Sequence, residues 1–146
     1  MLILKNNTWE GYKMDLTNEF PRSPYDMLAG LVMLPRTFDK CKATVDGTNG
    51  EYHYGCPMDE KLLKFLDISV EDFKAKVEEL ETEAKVEEWI SEMKSKEEKT
   101  EFNNMMRHSD GEDEDSKKWL EENKKELGKE STFTFFDNLD ADEKRF

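Results

Sequence analysis

The chain has 146 residues and a formal net charge of -13, from 22 Lys and Arg against 35 Asp and Glu. This length suits one domain, and an aromatic content of 11% excludes a wholly disordered chain. The acidic excess argues against nucleic-acid binding, which needs a basic face, and the longest apolar run, residues 31–34, is too short to span a membrane.

The first 14 residues bear on whether the chain has a signal peptide and on where translation begins. The apolar start Met1 to Leu4 is broken at once by Lys5, which is too early for a signal peptide. Met14 follows Trp9-Glu10-Gly11, whose purine-rich codons resemble a bacterial ribosome-binding site. We therefore expect residues 1–13 to be disordered or an over-annotated leader, and 14–146 to form a single helical domain.

The N-terminal region is predicted to contain short helices joined by irregular backbone. Ser23-Pro24-Tyr25-Asp26 favours a helix start, after which Met27, Leu28, Leu31 and Val32 share a helical face and Pro35 ends the helix. A second short helix carries Phe38, Cys41 and Val45. The turn at residues 46–50 precedes strand-favouring aromatics at 52 and 54, so a short β-hairpin or an extended segment is expected near 46–56.

Beyond Asp59 the pattern is that of charged amphipathic helices. Apolar groups at helical spacing are centred on Leu62, Phe73, Trp89, Phe102 and Trp119, and residues 110–115 favour a solvated acidic loop. Residues 133–136 are apolar and are expected to pack back as a strand or an extended segment. The fold class predicted is therefore mainly α, a small single-domain helical protein.

The first candidate site consists of Arg22 and Arg36. An arginine fork holds a carboxylate or phosphate through two parallel hydrogen bonds, and both arginines lie beside predicted helix starts, where backbone donors attract anions. The alternative is structural: the two arginines pair with Asp39, with Glu51 or with the C-terminal acids and so pin the fold.

The sequence gives less support to two other kinds of site, an acid–base catalytic site and a metal site. Asp39 or Glu51 near Tyr52 and His53 could act as acid or base, although the spacing does not show that these groups converge. Metal ligation by Cys41, His53, Cys56 and His108 lacks a Cys-x-x-Cys pair, so we predict no metal site and no cofactor. The two cysteines form no dense disulfide framework, and a reduced cytoplasmic protein is expected.

Several segments of the chain resemble a bacterial family catalogued as domain of unknown function 5069. The resemblance rests on residues 14–24 (MDLTNEFPRSP), 30–31, 34–40 (LPRTFDK), 47–52 (GTNGEY), 56–59 (CPMD), 62–66 (LLKFL) and 134–143 (TFFDNLDADE). It implies a small, mostly helical domain that begins near Met14, and it supplies no activity. The distinctive charged and aromatic residues of the matched segments are Arg22, Arg36, Asp39, Lys40, Glu51 and Tyr52.

The leading functional hypothesis is a cytoplasmic binding or regulatory module. It would hold a small anionic molecule or an acidic segment of a protein partner at Arg22, Arg36 and Lys40, with Tyr52 as one wall. The alternative is a small enzyme that uses Asp39 or Glu51 as acid or base, with Arg36 stabilising negative charge. A third hypothesis is an interaction surface on the acidic helices, and the protein is expected to be a monomer or a homodimer.

Overall fold

The computed structural model describes residues 14–110, 113–128 and 134–145. The predicted leader, residues 1–13, lies outside them. The described elements are β1 (Met27–Leu28), β2 (Leu31–Val32), α1 (Leu34–Asp46), α2 (Pro57–Phe65), α3 (Val70–Leu80), α4 (Glu83–Ile90), α5 (Lys96–Arg107), α6 (Glu114–Glu126) and α7 (Phe135–Asp142). The mainly α fold class is confirmed. Its β element is one antiparallel pair at residues 27–32, whereas residues 47–56, where the sequence predicts a hairpin or an extended segment, form turns and irregular backbone without a strand.

The predicted helix after Ser23 is wrong: residues 27–32 form the β1–β2 hairpin. Ala29 and Gly30 both have positive φ, at 54° and 76°, which is the conformation of a tight two-residue hairpin turn. The Asn103 side chain of α5 forms hydrogen bonds with two backbone groups of this hairpin, which in a helix would have bonded to other backbone groups. Its amide oxygen accepts from Val32 N at 3.0 Å and its amide nitrogen donates to Gly30 O at 2.9 Å.

Pro35 begins a helix instead of ending one. It occupies the first turn of α1, where its missing N–H has no helical partner to lose. The predicted second helix with Phe38, Cys41 and Val45 is thus confirmed, with an earlier start. The predicted turn is confirmed at Gly47, which closes α1 in a left-handed conformation.

Gly47 allows a clean test of backbone conformation. Its φ is +76°, and a Cβ built on it would meet nothing within 4 Å. Gly47→Ala should therefore lower the free energy of unfolding by about 1 kcal/mol through left-handed strain alone. Urea denaturation measures this, and Gly128→Ala, with φ +72° and equally open space, should behave alike. An unchanged midpoint in both variants would contradict the assignment.

The later helices begin where local capping signals stand. The side chains of Ser69, Thr82, Ser95 and Asp113 each accept a hydrogen bond from a backbone N–H of the first turn that follows. The extended tail predicted for residues 133–136 is wrong from Thr134 onward. Thr134 caps α7 and forms a capping box with Asp137, while residue 133 lies outside the described residues.

One hydrophobic cluster joins β2, α1 to α5 and α7. At its centre lie Leu31, Val32, Met33 and Leu34, all fully buried, and α7 contributes Phe136. Helix α6 stands apart: it packs on α7 through a small cluster with Leu120 and Ala141. No helix in the described ranges is both long and apolar enough to cross a membrane.

Candidate functional site

Helix α1 places three of the predicted site residues on one side of the fold. Arg36, Asp39 and Lys40 are spaced three and four residues apart, which aligns their side chains along a helix. All three are buried, with relative exposures of 2%, 1% and 4%. Buried charges require partners, and each finds one.

Arg36 holds Glu143, the residue that follows α7. Its Nη1 and Nη2 groups donate to Oε1 at 2.9 Å and to Oε2 at 2.6 Å, which is the two-pronged geometry that binds carboxylates best. Tyr52 Oη donates to the same Oε2 at 2.9 Å, and Arg145 also donates to Glu143. The Glu143 carboxylate is therefore held by donors from Arg36, Tyr52 and Arg145, with the buried Arg36 making two of the contacts.

The electrostatics of this pair favour the charged forms. Burial alone raises the pKa of Glu143, but the hydrogen bonds and charge of Arg36 outweigh it, so the pKa lies below its ordinary value. Burial also raises the pKa of Tyr52, as does its hydrogen bond to Glu143. Tyr52 thus stays a neutral donor.

The lowered pKa of Glu143 gives stability a pH dependence of known sign. The contribution of ionised Glu143 to the free energy of unfolding is complete above about pH 4.5, the ordinary pKa of the group. It is lost as the pH falls through the lower pKa of Glu143 in the folded state. The difference in unfolding free energy between the wild type and Glu143→Gln should therefore narrow as the pH falls from about 6 to about 3. Urea titrations of both proteins across this range measure it, and a constant difference would contradict it.

Arg22 is engaged on two sides. Its backbone N and its Nε donate to Asp39 Oδ2 at 2.9 and 3.1 Å, and its Nη2 donates to Oδ1 at 2.9 Å. Arg22 Nη2 also pairs with Glu83 Oε1 at 2.6 Å. Burial raises the pKa of Asp39 against the lowering effect of Arg22. Both Asp39 oxygens are occupied by Arg22, so this geometry gives no support to Asp39 as a catalytic acid or base.

Lys40 belongs to a separate polar cluster with α2. Its Nζ lies 2.9 Å from Asp59 Oδ2 and 3.3 Å from Cys56 Sγ. Asp59 is fully buried and also accepts from Thr37 Oγ1 at 2.6 Å and Gly55 N at 2.9 Å. This cluster ties the first turn of α2 to α1.

The remaining predicted residues do not all meet. Tyr52 joins Arg36 through Glu143, while Glu51 is exposed in the turn after Gly50. Of the proposed metal ligands, Cys41 is buried in the core and Cys56 caps α2. Within the described ranges, no cluster of three or more His, Cys, Asp or Glu side chains is arranged to hold a metal ion.

Three acidic partners were not identified individually from the sequence: Asp59, Glu83 and Glu143. The structural alternative named the C-terminal acids only as a group. For Asp59 a local signal existed, since it stands at the third helical position after Cys56-Pro57, where a carboxylate caps the helix. For Glu83 and Glu143 no local signal exists, because their partners are 61 and 107 residues away.

The C-terminal segment, residues 134–145, is attached to the N-terminal region at several further points. Tyr25 Oη donates to Asp137 at 2.7 Å, and its ring meets Phe136 edge-on with centroids 5.1 Å apart. Ser23 Oγ donates to Asp140 at 3.0 Å. The segment that carries Glu143 is thus placed by polar and aromatic contacts as well as by Arg36.

Comparison with known proteins finds a matching family model. No curated protein matches the sequence. The family model described as Domain of unknown function (DUF5069) matches residues 18–145, a span that holds α1, the Arg36–Glu143 pair and the C-terminal segment. The chain therefore belongs to the DUF5069 family.

Proposed function

We propose that this protein is a binding module that uses Arg36 as a receptor for the carboxylate of a small anionic molecule or an acidic protein segment. The observation that carries the proposal is the buried, two-pronged contact between Arg36 and Glu143, completed by Tyr52. In the free chain the C-terminal segment supplies the carboxylate. An external anion would compete with Glu143 for the same donors.

A second feature supports exchange at this receptor. Glu143 occupies both terminal nitrogens of Arg36, and Arg36 Nε is buried without a hydrogen-bond partner among the described residues. Native interiors rarely leave such a donor unmet. A ligand with more oxygen atoms than one carboxylate could engage Nε together with the terminal nitrogens.

The proposal also places the module in the cytoplasm. Both cysteines are free, Cys41 in the core and Cys56 at the start of α2, which is ordinary for a protein kept in a reducing compartment. Regulation would follow from competition, because a ligand that displaces Glu143 would loosen the C-terminal segment.

Chemical rescue tests the receptor directly. Glu143→Ala should be destabilised, and acetate or succinate should raise its melting temperature saturably, because a ligand that binds the folded state stabilises it by mass action. The same salts should do nothing for the Arg36→Met/Glu143→Ala double variant. Sodium chloride at equal ionic strength controls for general salt effects.

Competition tests the function. Di- and tricarboxylates should raise the melting temperature of the wild type saturably, and Arg36→Lys, which keeps the charge but removes the fork, should abolish the rise. Arg107→Lys on α5 is the matched control and should keep it. A rise that survives Arg36→Lys, or an absence of rescue in Glu143→Ala, contradicts the proposal.

A further inference from the structure

A second concave site lies away from the Arg36 receptor, between α2, α6 and α7. The cleft has a volume of about 440 Å³, within the range of small-molecule sites. Pro57 and Met58 line it from α2, Trp119 from α6, and Phe135, Asn138 and Leu139 from α7. Because α6 joins the body mainly through α7, a ligand here would also bridge α6 to α2.

The cleft presents an aromatic wall. Trp119 and Phe135 are stacked, with centroids 6.2 Å apart and ring planes 27° from parallel. Trp119 is nonetheless 50% exposed, which is unusual for the largest apolar side chain. A stacked pair with accessible ring surface is a platform for a further planar ring.

Asn138 supplies a polar group with unmet bonding capacity. The residue lines the cleft and is 9% exposed, and its buried Oδ1 accepts no hydrogen bond within the described ranges. Because this oxygen is enclosed by protein, a ligand reaches it after the amide rotates about its terminal torsion, which has a broad energy profile. Asn138 can therefore meet a ring edge that carries a donor beside an acceptor, as asparagine does with adenine.

The charges at the cleft favour a neutral ligand. Lys61 and Asp113 both line it and have opposite signs, so neither sign dominates. The chain as a whole carries -13, which disfavours a ligand whose binding depends on phosphate. The acceptable ligand is planar, uncharged and hydrogen-bonding along one edge.

We infer that the cleft between α2, α6 and α7 binds a nucleobase or nucleoside, stacked on Trp119 and Phe135 and paired through one edge with the Asn138 amide. This inference does not depend on the Arg36 receptor. One ligand would then contact both the exposed Trp119 ring and the Asn138 amide.

Calorimetric titration of the full chain with adenine and adenosine tests the inference. Both should bind saturably with a dissociation constant on the order of 0.1 mM, and ribose should not bind. In NMR spectra the Trp119 indole N–H resonance, assigned through Trp119→Phe, should shift along the same curve. Failure of either compound to saturate by about 10 mM, or a Trp119 resonance that does not move, overturns the inference.

Variants locate the binding. Trp119→Ala should weaken adenosine binding about tenfold or more, since one stacked base contributes that much. Asn138→Asp, which keeps the shape but removes the amide donor, should weaken it to a similar degree. Met105→Ala, at another exposed apolar side chain, is the matched control and should bind normally. Circular dichroism confirms that each variant is folded, and unchanged binding in folded Trp119→Ala refutes the site.

Discussion

Asp59→Ala is expected to lower the free energy of unfolding by about 3 to 5 kcal/mol, the usual cost of removing one partner of a buried ion pair. Asp59 is fully buried and accepts hydrogen bonds from Thr37 and from the backbone at Gly55 and Cys56. Its loss leaves Lys40, 4% exposed, as a buried cation, and also removes the carboxylate that caps α2. Urea denaturation with a common slope measures the change.

Asp72→Ala is the matched control for this prediction. Asp72 occupies the same third position in α3, but it is exposed, so its removal should cost at most about 0.5 kcal/mol. Lys40→Met should lower the free energy of unfolding less than Asp59→Ala does. In Lys40→Met, Asp59 keeps the hydrogen bonds from its neutral donors, whereas in Asp59→Ala the Lys40 ammonium keeps only Cys56 Sγ. Equal losses for Asp59→Ala and Asp72→Ala would show that burial of the pair contributes nothing.

Glu143→Ala should cost a similar amount, about 3 to 5 kcal/mol. The side chains of Arg36 and Glu143 are each only 3% exposed, so truncating the acid leaves a guanidinium charge away from water. Arg36→Met should cost less, since Glu143 would retain the donors of Tyr52 and Arg145. A double-mutant cycle measured by urea denaturation should give a coupling of about 2 to 3 kcal/mol.

The surface pair between Glu121 and Lys124 on α6 provides the control. Their charged atoms lie 3.6 Å apart, and the Glu121 side chain is 51% exposed. Such pairs are worth about 0 to 1 kcal/mol, so Glu121→Ala should change stability little. A coupling between Arg36 and Glu143 as small as this would remove the basis for treating the site as a carboxylate receptor.

Local sequence signals predicted most of the helices because their causes are local. Ser69, Ser95 and Gly47 act on backbone groups within a few residues of themselves, so the sequence alone determines where α3 and α5 begin and where α1 ends. The capping pair Thr134 and Asp137 carried the same kind of information about α7. The strand or extended segment predicted for 133–136 gave more weight to apolar composition than to this cap.

The hairpin at 27–32 shows where local reasoning fails. The apolar spacing of Met27, Leu28 and Leu31 fits a helix, yet the backbone turns at Ala29-Gly30. What the local pattern lacks is Asn103, more than 70 residues later, which bonds Gly30 O in the turn and Val32 N in the strand that follows. A distant side chain thus supplies hydrogen bonds that a helix would otherwise have made.

For the candidate site, too, some features could be predicted from the sequence and others only from the tertiary structure. From sequence, Arg22, Arg36 and Lys40 could be selected as basic residues near helix starts and Asp39 as a candidate acid or base. The prediction that no nucleic acid binds stays a prediction from acidic composition. Only the tertiary structure decided the partners, because Glu143 meets Arg36 across 107 residues of chain and burial excludes water from both. Sequence determines which charges a chain carries and where its helices begin, whereas the tertiary fold that brings the C-terminal segment to α1 determines which of those charges face each other.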